Sequence, residues 1–267
     1  MSKVVFITGA AGGLGLGIAQ YLANRGYTVY GTSRRSQAVI DGMKMLVADV
    51  TDGPSIEACI SQIVNEQGRL DVVINNAGLG IASPLETVSI ADVQQVLDTN
   101  ITGVIRVVQA ALPQMRLQRS GLIINISSIG SEIGLPYRGV YSATKAAVDR
   151  LSEAMRMELT GFGIQVCIIQ PGGVKTDINK NRIHTELITG NAYKNNFDIA
   201  YEMINKSVDQ GLDVKVFGEL VFHILQQRRV KAVYRIGTRA EKMSVLLKSI
   251  LPSSYFEKMV RKHYGLK

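Results

Sequence analysis

The sequence predicts an α/β fold: a single doubly wound domain on a seven-stranded parallel sheet, with helices on both faces and a C-terminal helical extension. Three observations carry that expectation. Short apolar runs alternate with helical patterns from the first residues onward, as in a sheet covered on both sides. The first run leads straight into a glycine-rich turn, Thr8-Gly9-Ala10-Ala11-Gly12-Gly13-Leu14-Gly15. The 267 residues are 46% hydrophobic and 19% charged, which suits one large domain with a substantial core and not a disordered chain.

The elements follow in order. Val4 to Thr8 reads as the first strand. Leu14 to Arg25 reads as a helix with Leu14, Ile18, Tyr21 and Leu22 on one face. Tyr27 to Gly31 is the second strand and Met45 to Ala48 a short third. Ser55 to Glu66 is a helix, and Asp71 to Asn75 the fourth strand. A long helix runs from about Ile90 to Arg116, interrupted or bent near Gly103 or Pro113. Leu122 to Ile126 is the fifth strand, and Tyr137 to Gly161 a second long helix. Gln165 to Ile169 and Ala232 to Arg235 are the last two strands. Right-handed crossovers then place helices on both faces. The stretch from Gly172 to Gly211 is polar, rich in Asn, Lys and Thr, and lacks a strand signal. A long insertion after a strand's carboxyl end is where a substrate lid would sit.

Composition narrows the function. No apolar run reaches the roughly 18 residues a membrane span needs. The first residues read as a strand and not as a leader segment, so the chain is expected to be cytoplasmic and unprocessed. Cys59 and Cys167 have no metal-ligand spacing, and His184, His223 and His263 are scattered, so no metal site is expected. The net charge is +8, but Arg228 to Lys267 holds eleven Lys/Arg and two Asp/Glu, a local +9 that leaves −1 for the rest. The basic character belongs to the tail. Nucleic-acid binding needs a basic patch and a reading element, and no such element is seen.

The glycine turn suggests a Rossmann-type cofactor site. Glycines permit a tight turn and close backbone approach to a pyrophosphate, while the helix N-terminus offers amides and positive dipole. Gly9, Gly13, Leu14 and Gly15 are the candidate contacts. The spacing is Thr-Gly-x-x-x-Gly-x-Gly, since position 18 is Ile and not Gly. The second strand leads into Tyr30-Gly31-Thr32-Ser33-Arg34-Arg35, without the acid that would take a ribose 2′-hydroxyl. Ser33 and Arg34 can instead hold a 2′-phosphate, with Arg35 a solvated charge. The expected cofactor is therefore NADP(H).

Tyr141 and Lys145 sit four residues apart in Tyr-Ser-Ala-Thr-Lys, and Ser128 closes an apolar run thirteen residues upstream. An ammonium one helical turn away favours the phenolate and lowers a phenol pKa from its usual value of about 10. Such a tyrosine exchanges protons near neutral pH, and the serine hydroxyl can hold the same substrate oxygen. The pair alone would describe a solvated helix face equally well.

Together with Asn75-Asn76-Ala77-Gly78 and Pro171-Gly172 followed by Thr176, these motifs give the chain a resemblance to the short-chain dehydrogenase/reductases over almost its whole length. The resemblance implies that Tyr141 is the general acid in carbonyl reduction, and the base in alcohol oxidation. It implies that Lys145 lowers the tyrosine pKa and binds the nicotinamide ribose, and that Ser128 and not the adjacent Ser127 holds the substrate oxygen. Asn100, in Asp-Thr-Asn-Ile, matches the family's asparagine that helps organise a proton-relay water. Asp49 would contact adenine with Val50 supplying backbone, Asn76 and Ala77 would line the ribose side, and Val174 and Thr176 the carboxamide. Plainer readings stand beside these: Asn75 as a brace of the sheet, Asp49 as a turn cap, Asn125 as structural.

On this basis residues 1–237 form the dinucleotide-binding catalytic domain, with 172–211 its substrate-loop insertion. Residues 238–267 add an amphipathic helical tail to the same domain. Met243, Leu246, Leu247, Ile250 and Leu251 fall at helical spacing, as do Phe256, Met259 and Val260, with Lys242, Lys248, Lys258, Arg261 and Lys262 opposite. Either the tail packs on the body with a solvated basic face, or it meets anionic lipid as a peripheral membrane contact. Tyr234-Arg235-Ile236-Gly237 and the helices after it resemble the retinol, hydroxysteroid and acyl-dihydroxyacetone-phosphate reductase branch. The expected activity is NADPH-dependent hydride transfer to a hydrophobic, lipid-like carbonyl. The alternatives are a 3-oxoacyl thioester or keto-sphingoid reductase, and a non-catalytic NADP-binding regulatory or scaffold protein. The long helices at 90–116 and 137–161 offer a homodimer interface.

Overall fold

The computed structural model of the protein describes residues 2–35 and 42–266. Met1 and Lys267, the ends of the expected domain and tail, lie outside them. The chain runs β1 (Val4–Ile7), α1 (Gly13–Ala23), β2 (Thr28–Ser33), β3 (Met43–Val47), α2 (Gly53–Gln67), β4 (Val72–Asn75) and β5 (Ile81–Ala82). It continues through α3 (Ile90–Leu97), α4 (Gly103–Gln118), β6 (Gly121–Ile126), α5 (Gly139–Leu159), β7 (Ile164–Pro171), α6 (Ile178–Asn181) and β8 (Ile183–His184). It closes with α7 (Lys194–Asp209), α8 (Val214–Gln226), β9 (Val233–Ile236), α9 (Arg239–Ile250) and α10 (Ser253–His263). Seven strands form one parallel sheet in the order β3-β2-β1-β4-β6-β7-β9. That is the doubly wound arrangement the alternating pattern predicts.

Side chains on a strand alternate between faces, and both faces here are dry. Val4 and Phe6 of β1 point into one cluster with Ile56 and Ile63 of α2, Val107 of α4 and Val148 of α5. Val5 and Ile7 point into the other with Ile18 and Leu22 of α1 and Phe217 and Val221 of α8. A strand buried on both faces reads as a continuous apolar run, and that is why Val-Val-Phe-Ile was legible.

Three expectations are corrected, and the expected interruption near Gly103 is given its form. The second strand extends two residues further than expected, to Ser33, which carries Ser33 into the sheet. The helix expected over 90–116 is α3 and α4 joined by a π-helical turn, Asp98–Thr102. The break falls at Gly103, and Pro113 lies within α4 without ending it. The segment 172–211 is not strandless: β8 pairs with β5 outside the main sheet, through Ile81 with Ile183 and Ala82 with His184. Two helices, α7 and α8, were also unforeseen. In α7 the buried residues Phe197, Ala200, Ile204 and Val208 form a helical stripe that the surrounding Asn and Lys residues obscure.

The tail packs on the body along its inner side. Thr238 and Glu241 form a reciprocal capping box at the start of α9. Val245 and Phe256 join Ile129 and Ile133 in one small core, and Tyr264 joins Phe197 and Ile204 in another. Leu246 and Ile250 face outward. Among the described residues no helix is long and apolar enough to cross a membrane.

Helix α8 tests the packing. At Gly218 a Cβ would lie 2.5 Å from Tyr21 Cβ and 2.6 Å from Tyr21 Cγ on α1. Alanine is locally the better helix residue by about 1 kcal/mol, but the overlap forces α1 and α8 apart. Gly218→Ala should therefore lower stability by about 1–3 kcal/mol in denaturant unfolding. A gain in stability would mean that the two helices are not in close contact.

Candidate active site

The carboxyl ends of the parallel strands open into one large cavity of about 1280 Å3. Of the sequence-predicted residues, Gly9, Gly13, Leu14, Ser33, Arg34, Asp49, Val50, Asn76, Ala77, Ser128, Tyr141, Lys145, Val174 and Thr176 line it. Gly15 and Asn100 do not, and act from behind the wall.

The glycine turn is built around close approach. Gly9 has a positive φ of 65°, a conformation L side chains rarely adopt. Asn76 donates from Nδ2 to the carbonyls of Thr8, at 2.9 Å, and Gly9, at 3.1 Å. At Gly15 a Cβ would lie 2.4 Å from that Nδ2 and 2.5 Å from the Gly9 carbonyl oxygen, so a side chain there would push the cradle open. The Thr8 hydroxyl accepts from the backbone N–H groups of both Asn76 and Ala77, each at 3.0 Å, which ties β4 to β1. The α1 N-terminus has no side-chain cap and no acid in its first turn. Its amides are left to an anion, and the cradle fits a dinucleotide pyrophosphate.

At the end of β2, Arg34 and Arg35 are exposed on the cavity rim, and among the described residues neither is in an ion pair. The carboxylate of Asp49 accepts from the Thr51 N–H at 2.9 Å and the Thr51 hydroxyl at 2.8 Å, so it is a turn cap as well as a wall residue. Val50 packs against Gly103, where a Cβ would stand 2.9 Å from Val50 Cγ2.

The strand β6 and the helix α5 bring the three central residues together. Ser128 follows β6 in extended conformation, and its hydroxyl accepts from the Gly130 N–H at 3.0 Å. Ser127 is buried and donates to the Lys145 carbonyl, so it braces the helix and does not line up with Tyr141. Lys145 is buried; its Nζ donates to the Ile126 carbonyl at 2.9 Å and lies 5.9 Å from the Tyr141 ring centroid. Burial alone would push the Tyr141 phenol up. The Lys145 ammonium, the Arg138 guanidinium, the hydrogen bond with Ser128 and the Arg182 guanidinium together outweigh it, holding the phenol below its ordinary value. That arrangement can move a proton to or from an oxygen in the cavity.

Asn100 sits in the π-helical turn, 1% exposed. Its Oδ1 accepts from the Leu79 N–H at 2.7 Å, and its Nδ2 donates to the Leu79 carbonyl at 2.9 Å and the Thr144 hydroxyl at 3.1 Å. Both amide hydrogens are committed, so the side chain chiefly holds the Gly78–Leu79 loop over Lys145. Asn75 and Asn125 are paired across β4 and β6: Asn75 donates to Asn125 at 2.8 Å, and Asn125 donates to Ser152 of α5 at 2.7 Å. The plainer structural reading of both asparagines describes them well.

Several wall residues were not foreseen. Arg138 precedes α5, three residues before Tyr141, a spacing visible in the sequence. Arg182 comes from the polar segment, and nothing in its local sequence marks it. The tail also reaches the cavity, through Met243, Leu247, Phe256, Met259, Val260 and Tyr264. Glu241 Oε1 accepts from the Gly173 N–H at 2.7 Å, fastening α9 to the loop after β7.

A glycine cradle at the first strand–helix turn, beside a tyrosine, lysine and serine on one wall, marks a nicotinamide-dependent oxidoreductase acting on carbonyl or alcohol groups. The chain belongs to the short-chain dehydrogenases, whose family model, described as short chain dehydrogenase, matches residues 3–187. It is 38% identical over 266 residues to a 3-ketodihydrosphingosine reductase of Bacteroides thetaiotaomicron, covering 99% of each chain. It is 37% identical over 189 residues to a 3-oxoacyl acyl-carrier-protein reductase of Staphylococcus aureus, covering 67% of this chain and 77% of that one. The crystal structure of a short-chain dehydrogenase from Streptomyces avermitilis superposes with a TM-score of 0.83 at 29% identity, covering 98% of both chains.

Proposed function

We propose that this protein is an NADPH-dependent reductase of a ketone or aldehyde on a long-chain, lipid-like molecule. The observation that carries the reading is the convergence of Ser128, Tyr141 and Lys145 on the cavity that also holds the glycine cradle. When bound, the nicotinamide supplies the hydride. Tyr141 gives the proton to the carbonyl oxygen, Ser128 hydrogen-bonds and orients that oxygen, and Lys145 keeps the phenol acidic while reaching the ribose side. Asn100 keeps the Gly78–Leu79 loop in place above the lysine.

The choice of NADPH rests on the β2 end. Among the described residues Arg34 is in no ion pair, and a guanidinium pairs well with a 2′-phosphate. The choice of a lipid-like substrate rests on the cavity wall, where Met243, Leu247, Phe256, Met259 and Val260 present an apolar surface. It is also supported by the relatives, whose names specify a ketone at the third carbon of a long-chain sphingoid base and of an acyl thioester.

Three outcomes follow. Tyr141→Phe should lower kcat by about 10²–10⁴-fold while NADPH still binds; near-native turnover would remove the tyrosine from the reaction. Arg34→Gln should raise the KM for NADPH by about ten- to a hundredfold and leave that for NADH unchanged. An unaltered NADPH to NADH ratio would reject the 2′-phosphate contact. In the reductive direction Tyr141 works protonated, so the rate falls as pH rises through its pKa. Arg138→Gln removes a cation that lowers that pKa, so the pKa rises and the alkaline limb of kcat moves to higher pH. A limb that stays put, or moves down, would contradict the electrostatic account.

A further inference from the structure

Two cations on the cavity wall exceed what proton transfer requires. Arg182 is 6% exposed, yet its partners are neutral: Nη1 donates to Asn205 Oδ1 at 2.6 Å and Nη2 to Asn179 Oδ1 at 2.7 Å. Its Cζ lies 5.7 Å from the Tyr201 ring centroid. Arg138 has its Cζ 4.6 Å from the Tyr141 ring centroid, and its charge also acts on the Tyr264 phenol. The two guanidinium groups are close enough to repel each other.

No acid among the described residues of the cavity answers them. Among the described residues neither arginine lies in an ion pair. Among the described residues the acids on the wall are Asp49, Asp98, Asp177 and Glu241. Asp98 pairs with Arg106, Asp177 pairs with Lys180, and Asp49 caps Thr51. The Glu241 oxygens accept from the backbone N–H groups of Gly173 and Thr238 and from the Thr238 hydroxyl. A buried cation costs free energy that neutral hydrogen bonds offset only in part, and a second like charge adds to the cost. Tuning of Tyr141 does not account for the pair, because Lys145 acts on the phenol more strongly than either arginine and Arg182 acts least. The asparagines instead fix the Arg182 fork without neutralising it, which suits a planar oxyanion partner.

We propose that Arg138 and Arg182 form a subsite for an anionic oxyacid group, a carboxylate or a phosphate, carried by the substrate near the carbonyl that is reduced. The Tyr264 side chain lines the same cavity and brings a further hydroxyl to the wall. A head group bearing an ammonium is repelled from the same place, so the relatives support the long chain and its ketone for this protein but not the amine of a sphingoid base. The assignment of the anion to the substrate rests on the reductase reading; the subsite itself does not.

The test is equilibrium binding, which needs no turnover. Octyl phosphate, octanoate, octanol and octylamine are titrated into the NADPH-saturated protein, with NADPH binding and oxidation measured on the same preparations. The anions should bind at least about tenfold more tightly than octanol, and octylamine more weakly. The stronger of the two anions identifies phosphate or carboxylate as the group. Arg138→Gln and Arg182→Gln should each remove most of the anion preference while octanol binding persists, and Arg182→Lys should restore part of it. If Arg182→Gln does not fold, Arg138→Gln, on a half-buried residue, carries the comparison. Equal binding of octyl phosphate and octanol would overturn the subsite, as would a preference that survives in the folded variants. Anion preference without any NADPH oxidation across a carbonyl panel would count against the reductase reading and leave the subsite standing.

Discussion

The site depends on one buried ammonium. Lys145 points its Nζ at the Ile126 carbonyl where β6 ends, and few other residues could occupy that position. A desolvated cation there needs a fixed acceptor, and the last carbonyl of a central strand is as fixed as any group in the protein. The contact sets the depth and rotation of α5 against β6. Tyr141, one turn earlier on the same helix face, is thereby set into the cavity beside Ser128. A phenol buried to that degree would otherwise be a poor acid. The cation turns burial from a penalty into a gain, because its field acts most strongly where water is excluded.

Other polar contacts serve the same alignment. The Asn75–Asn125–Ser152 series runs from β4 through β6 to α5 and fixes the register of the helix over the sheet. Asn100, in its π-helical turn, presses the Leu79 loop down over the lysine. The Thr8 hydroxyl and the Asn76 amide bind the first turn to the end of β4, so the cradle and the proton-transfer wall cannot shift independently. From the far end of the chain, Glu241 holds the Gly172–Gly173 loop through the same carboxylate that caps α9. The tail is therefore a structural part of the cavity and not an appendage.

How much of this was legible depends on whether the signal was local. Strands buried on both faces, a glycine turn and a Tyr-x-x-x-Lys pair state their chemistry over a few residues, and the sheet and the central wall follow from them. Helix α7 was hidden because its buried stripe is only Phe197, Ala200, Ile204 and Val208, and apolar residues off that stripe, Ile199, Tyr201 and Met203, blur the period among Asn, Lys, Asp and Glu. The pairing of β5 with β8 involves two residues on each side, too few for any periodicity to register. Arg138 could have been read from its position three residues ahead of Tyr141. Arg182 and Tyr264 could not. They reach the cavity through the packing of α6, α7 and α10, which no short pattern encodes.

The wall composition implies how an occupant would lie. One part is apolar and comes largely from α9 and α10; another carries Arg138 and Arg182 beside Tyr141. An amphiphile gains from both only in one orientation, with its charged end at the arginines and its chain along Met243, Leu247 and Phe256. The reverse placement would desolvate the charge among apolar side chains and leave two cations unanswered. Orientation then fixes which carbon can meet Tyr141: one close to the charged end, however long the chain. On the proposed subsite, the protein would measure its substrate from the head group inward. Differences in chain length would be absorbed along the tail helices, and differences in head charge would not be absorbed at all.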